Sequence, residues 1–389
     1  MVFAGLCGAD AGAAPPVVTN VRAAQRAGTE LVDIYYDVAA DVPPLTAAVQ
    51  VSADGGATFA VNAVSLTGAV GGGLQPGSNR HVVWNAGADW NGQFSSQVRL
   101  NVIVSDSNSA PGMVQIPAGN FQMGDTLDGL SSALPVHTVY VSAFYMDRYE
   151  VTKAMWDDVL AWGMTHGYTD IPVGSGKAAN HPVQTISWYS MVKWCNARSE
   201  KEGLAPVYFT NDAQTALYQT GNVNITPAQV KWSANGYRLP TEAEWEKAAR
   251  GGTSGHRFPW SNVNTITHSQ ANYKSLASDS YDVSPTRGYH PTYAVGGFSY
   301  TNPVGSFVAN GYALYDMAGN VWEWCWDGYD SGYYSSSPST DPPGPPPASY
   351  RVMRGGSWIG EALYSRTAYR NPGLPGDASA DIGLRCVRR

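Results

Sequence analysis

The chain has 389 residues, room for about two or three domains of ordinary size. Only 14% of residues are charged, while Gly (42), Pro (25), Tyr (23) and Trp (13) are plentiful, which favours a loop-rich β or α+β protein over a helical bundle. A net charge of -7 argues against nucleic acid as a partner, and no apolar run reaches the ~20 residues of a membrane helix.

Residues 1–15 form a short, apolar, Ala/Gly-rich arm. It reads either as the tail of a secretory signal with a small-residue cleavage site or as an ordinary N-terminal arm. Residues 16–106 alternate as strands do. Val32, Ile34, Tyr36 and Val38 share one face, and so do Val98, Leu100, Val102 and Val104, as expected for a β-sandwich. "SADGGATF" (Ser52 to Phe59) has an Asp-box pattern, in which the Asp54 carboxylate bonds turn amides, and is expected to be a hairpin. Polar, Pro/Gly-terminated residues 107–112 read as a linker, and a second domain is expected over 113–389.

Three helices are expected in that domain. "VTKAMWDDVLAWG" is capped by Thr152 and stops at Gly163. "SWYSMVKWCNARSEKEG" puts Trp188, Met191, Val192 and Cys195 on one stripe. "TEAEWEKAARGG" opens on a capping box, Thr241 with Glu244, and stops at Gly251–Gly252. Helical periodicity is absent from 253 to 350, and the Pro-rich stretch near 335–349 is expected on the surface.

The ordered motifs "MVQIPAGNFQMG", "YEVTKAMW", "HPVQTISWYSMVKWC", "GYRLPTEAEWEKAARGG", "NGYALYDMAGNVWEW", "RVMRGGSW" and "IGLRCV" resemble the formylglycine-generating enzyme, or sulfatase-modifying factor, family over 113–389. The preceding domain resembles the immunoglobulin- or fibronectin-III-like β-sandwich often attached to bacterial members. The resemblance implies an α+β fold: a β-sandwich followed by a C-type-lectin-like domain with little regular secondary structure.

Active members oxidise a sulfatase cysteine with molecular oxygen and a copper ion held by two cysteines. Set on the family's G-G-S-[YW] pattern at Gly355–Trp358, those two positions are Gly360 and Ser365. Neither supplies the soft thiolate that copper(I) prefers, so copper is not expected. Other relatives hold a non-haem iron through histidines. The seven histidines here include no helical i, i+3 or i, i+4 pair, so iron is not expected either.

The resemblance further implies a calcium ion at Asp316 and Glu323 through side chains and at Gly319 and Val321 through carbonyls. A second family calcium site, around Asn272 and Tyr273, has Gly296 where an Asp is needed and is not expected to form. Cys195 and Cys386 correspond to family cysteines that pair, which implies a disulfide; two buried free thiols are the alternative. Trp322, Trp324, Trp326, Trp358, Tyr364 and Arg366 border the family's substrate groove. Most of these tryptophans are expected in the core, with Trp358, Tyr364 and Arg366 left as a candidate groove for a protein or glycan.

The function expected is therefore that of an exported, extracellular, cell-surface or periplasmic non-catalytic member acting as a binding or assembly module. The arm of residues 1–15 could join copies into oligomers or filaments. The alternative is an oxygenase of the formylglycine-generating type that modifies a protein or peptide through a different metal site.

Overall fold

The structure, a computed structural model, describes residues 16–40, 45–53, 61, 63–106, 112–260, 263–295, 298–345 and 349–389. The arm of residues 1–15, most of the Asp-box hairpin, the linker 107–111, Cys7 and Gly296 lie outside them. The chain divides into two compact units, Met1–Pro111 and Gly112–Arg389.

The first unit is built from antiparallel strands in two sheets. One sheet runs β1 (Val17–Gln25), β2 (Leu31–Ala39), β6 (Gly77–Asn85), β4 (Leu66–Gly68), and the other β5 (Gly71–Leu74), β3 (Leu45–Ser52), β7 (Arg99–Asp106). Alternation along β2 puts Ile34, Tyr36 and Val38 inside, against Leu45, Val49, Val51, Val82, Trp84 and Val102. The polar tips of the two large aromatics are satisfied. Tyr36 donates to the Ala69 carbonyl at 2.7 Å, and the Trp84 indole donates to Asp89 at 2.9 Å, in the single helical turn α1 (Ala86–Asp89).

The second unit joins small sheets to three helices. A three-stranded sheet orders β18 (Val387–Arg388), β11 (Phe144–Asp147) and β8 (Met113–Ile116), and β9 (Gly119–Met123) pairs with β10 (His137–Val141). A hairpin joins β12 (Ala294–Val295) to β13 (Phe298–Ser299). A further sheet orders β16 (Asn371–Gly373), β15 (Arg351–Arg354), β14 (Trp322–Gly328) and β17 (Ile382–Gly383).

The helices are α2 (Lys153–Gly163), α3 (Trp188–Lys201) and α4 (Glu242–Ala249), and Thr152, Ser187 and Thr241 cap them through side-chain oxygens. The Thr241–Glu244 capping box is present in both directions. The stripe expected on α3 is instead a helix buried on every side, from Trp188 to Ser199. Helix α4 is also wholly buried, and its three glutamates are paired. Glu242 accepts from Arg354 and Arg370, Glu246 from Arg250 and Arg354, and Glu244 from Arg238. This ionic centre and the hydrophobic cluster around Trp245, Phe144, Val352 and Cys325 form the floor beneath the site.

Candidate functional site

Beyond β15 the chain turns sharply at Gly355–Gly356 and folds back on itself. Gly356 has φ +76, and a Cβ there would stand 2.8 Å from the Ser365 hydroxyl, so the close approach requires glycine. Main-chain bonds hold the loop that follows. Trp358 N–H donates to Asn320 O at 2.8 Å, Gly360 N–H to Ser357 O at 3.0 Å, and Lys274 N–H to Gly360 O at 2.8 Å. A single 3-10 turn, Ala362–Ser365, then closes the segment.

Gly360 and Ser365 thus flank one turn, and neither carries a thiol. The Ser365 side chain is 1% exposed, and among the described residues its hydroxyl has no hydrogen-bond partner. A Cβ on Gly360 would meet Tyr364 at 3.3 Å, so the loop has space for only a small side chain there. A hydroxyl and a bare backbone do not fit a soft cuprous ion. The three described thiols, Cys195, Cys325 and Cys386, are all buried. Burial raises the Cys325 pKa well above that of an ordinary thiol, which opposes thiolate chemistry.

Around the turn, Tyr364 packs between Trp322 (ring centroids 5.9 Å apart) and Tyr369 (5.1 Å, edge-on). Trp358 is half-buried and lies 6.5 Å from Tyr289, with its indole N–H donating to Ala380 O. Trp322, Trp324 and Trp326 are buried. Arg366 is not a free groove residue. It is 7% exposed and bonds Asp128 at 3.0 Å, and Arg257 holds the same carboxylate at 2.8 Å. The hydrogen bond from Arg257, assisted by Arg366, keeps Asp128 below the usual carboxylate range.

Next to the turn, Gly319 N–H donates to Gly355 O and ties in the segment expected to hold calcium. Asp316 accepts from Asn302 Nδ2 (3.1 Å) and Gly305 N–H (2.6 Å). Glu323 accepts from Arg385 (2.8 Å) and from the Trp245 indole (2.7 Å). A third carboxylate, missed in the sequence, is Glu150, which accepts from Asn320 Nδ2 (2.5 Å) and Val321 N–H (3.2 Å). Its only signal was its place in "YEVTKAMW".

Burial, then Asp316 and Glu323, push the Glu150 pKa well up; burial also raises Asp316. Asn302 Oδ1 is buried without a donor among the described residues. No group of three His, Cys, Asp or Glu side chains among the described residues converges as a metal cage, so a cation here would need backbone and amide oxygens as well.

Cys195 and Cys386 stand with sulfurs 3.6 Å apart, both thiols free and fully buried. That is contact distance rather than the ~2.05 Å of a formed bond. Between the buried Leu384 and Cys386, Arg385 is buried as well and donates to Glu323.

Residues 101–389 match the family described as the sulfatase-modifying factor enzyme 1-like domain. The chain belongs to this family. Among relatives of this formylglycine-generating-enzyme-like family, the chain is 34% identical over 299 residues to chaperone protein LppX of Paenibacillus barcinonensis, covering 74% of this chain and 91% of that one. It is 32% identical over 299 residues to the formylglycine-generating enzyme of Streptomyces coelicolor, covering 72% and 90%. Among solved structures, Treponema denticola variable protein 1 superposes with a TM-score of 0.55 at 32% identity, covering 71% of this chain and 94% of that one. Family membership therefore spans proteins named for catalysis and proteins that are not, and does not by itself fix what this chain does.

Proposed function

We propose that this chain is a non-catalytic binding or assembly module of the formylglycine-generating enzyme family that works outside the cytoplasm. The observation that carries this is the thiol-free turn: Gly360 and Ser365 stand where the redox chemistry requires two cysteines, inside an otherwise intact frame. Trp358 and Tyr364 supply a half-exposed aromatic surface beside that turn for a protein or glycan. Arg366 contributes by holding the turn to Asp128. The test is to incubate the purified chain with copper, oxygen and a sulfatase-motif peptide. No aldehyde is expected, and aldehyde formed at a catalytic rate would overturn the proposal.

Calcium fits the segment 316–323 chemically. Asp316 and Glu323 with the Gly319 and Val321 carbonyls form a hard oxygen set, Asn302 Oδ1 offers a further buried oxygen, and calcium takes 6–8 such ligands. The ion would offset buried negative charge that Arg385 alone leaves in excess beside Glu150, Asp316 and Glu323. Its role would be structural, fixing the loop that bonds Gly355. Metal analysis should find about one calcium per chain, and chelation should lower the melting temperature of wild type but not of Asp316→Ala. No bound calcium and no chelator effect would remove it. In an oxidising compartment an oxidant would take two electrons from Cys195 and Cys386, 3.6 Å apart, to form a disulfide, and mass spectrometry of secreted protein would read this as a loss of two hydrogen atoms.

A further inference from the structure

A groove of about 290 Å³ opens on the second unit between β9, the end of α4 and the loop holding Tyr312. None of its residues belongs to the turn 357–366 or to the segment 316–323. Lys247 lines it with a side chain only 4% exposed. Its ammonium donates to Gly119 O (2.8 Å) and Val141 O (3.1 Å), which leaves one N–H over, and the carboxylate that acts on it, Asp341, forms no ion pair with it.

Arg250 lines the same groove. Its Nε and Nη2 are held by Glu246 and Gly124 O, while Nη1 has no acceptor among the described residues. Glu246 is shared with Arg354, so it offsets only part of the Arg250 charge. Phe121 and Tyr312 give the groove apolar walls. Gly252, with φ +85, keeps space beside Tyr312, whose ring would be 3.3 Å from any Cβ there. The Gly251–Gly252 helix stop thus also shapes a cavity.

A buried ammonium hydrogen-bonded only to neutral carbonyls, with Asp341 acting on it from beyond ion-pairing range, is incompletely balanced, and a desolvated anion would complete the balance. From this we infer that the groove is a binding site for a small organic carboxylate with a flat apolar body: the carboxylate on Lys247 and Arg250, the body between Phe121 and Tyr312. Burial also lowers the Lys247 pKa to about 8, and a bound carboxylate would raise it again. The site stands apart from the proposed function of the turn.

The test is titration of the full chain by NMR with phenylacetate, its neutral isostere phenylacetamide, and inorganic phosphate. Phenylacetate should bind at least about tenfold more tightly than the amide, the difference expected of charge-assisted hydrogen bonds, with shifts confined to Phe121, Tyr312 and their neighbours. Phosphate, which lacks the apolar body, should bind more weakly than phenylacetate. Lys247→Met should abolish the preference for the carboxylate. Because that change also removes two structural hydrogen bonds, Ser254→Glu is the second variant: Ser254 is exposed on the rim, and a carboxylate there should weaken phenylacetate about tenfold with no loss of melting temperature. Equal affinity for acid and amide, phosphate binding as tightly as phenylacetate, or indifference to Ser254→Glu would overturn the inference.

Discussion

Replacing Ser365 by alanine should stabilise the protein. The hydroxyl is 1% exposed and unpartnered among the described residues, at the position where redox-active relatives carry a thiol. An unpaired buried hydroxyl costs about 1–3 kcal/mol, whereas the dispersion lost with one oxygen is about 0.1–0.2 kcal/mol per contact over a few contacts. The balance favours alanine by about 1 kcal/mol, equivalent to a rise of about 2–4 °C in the melting temperature of a unit this large. Ser365→Cys should gain a similar amount, because a thiol tolerates an apolar burial that a hydroxyl does not. Tryptophan fluorescence is the natural probe, since only Trp84 and Trp90 of the 13 tryptophans lie in the first unit. Urea unfolding of wild type and both variants then reads the second unit almost alone. A loss of 0.5 kcal/mol or more in Ser365→Ala would refute the reasoning, because it would mean that the hydroxyl has a partner.

Three more outcomes follow from the ionic core and the buried histidines. Glu242→Gln should destabilise by about 3–5 kcal/mol in the same unfolding assay, because it leaves Arg354 and Arg370 without their shared buried carboxylate. Asp327 is pushed up to about 8 by burial and by Glu242, so it favours the fold at low pH, and that contribution is lost as pH rises from about 4 to 8. Asp327→Asn should remove this slope, and an unchanged stability–pH profile would count against it. His268 and His290 have ring centroids 5.1 Å apart, and burial lowers both below their usual value of 6.5. The neutral form is built in, because the Thr292 N–H donates to His290 Nδ1 while Nε2 faces the His268 carbonyl. Their contribution is complete above pH 6.5 and declines below it, so hydrogen exchange around 267–293 should accelerate between pH 7 and pH 5.

What was legible in the sequence was carried by local rules. The Thr241–Glu244 capping box and the alternation in β2 each depend on residues a few positions apart. What was not legible depends on partners remote in the chain. Glu150 meets Asn320, 170 positions away, and Arg366 meets Asp128, 238 positions away. A motif alone gave no sign that Arg366 was already committed to Asp128, or that Arg385 would pair with Glu323.

The same contrast explains how the turn holds its shape without thiols at positions 360 and 365. Its geometry is set by main-chain bonds at Ser357, Trp358, Gly360 and Tyr364, by the inward bond of the Ser357 hydroxyl to Asp381 (2.8 Å), and by the Arg366–Asp128 pair. None of these uses a side chain at 360 or 365. The ionic floor under α4 is equally independent of those two positions, since its ion pairs run among Glu242, Glu246, Arg250, Arg354 and Arg370. The frame of the turn and its chemistry are therefore set by different residues, so the fold alone does not fix what the turn does.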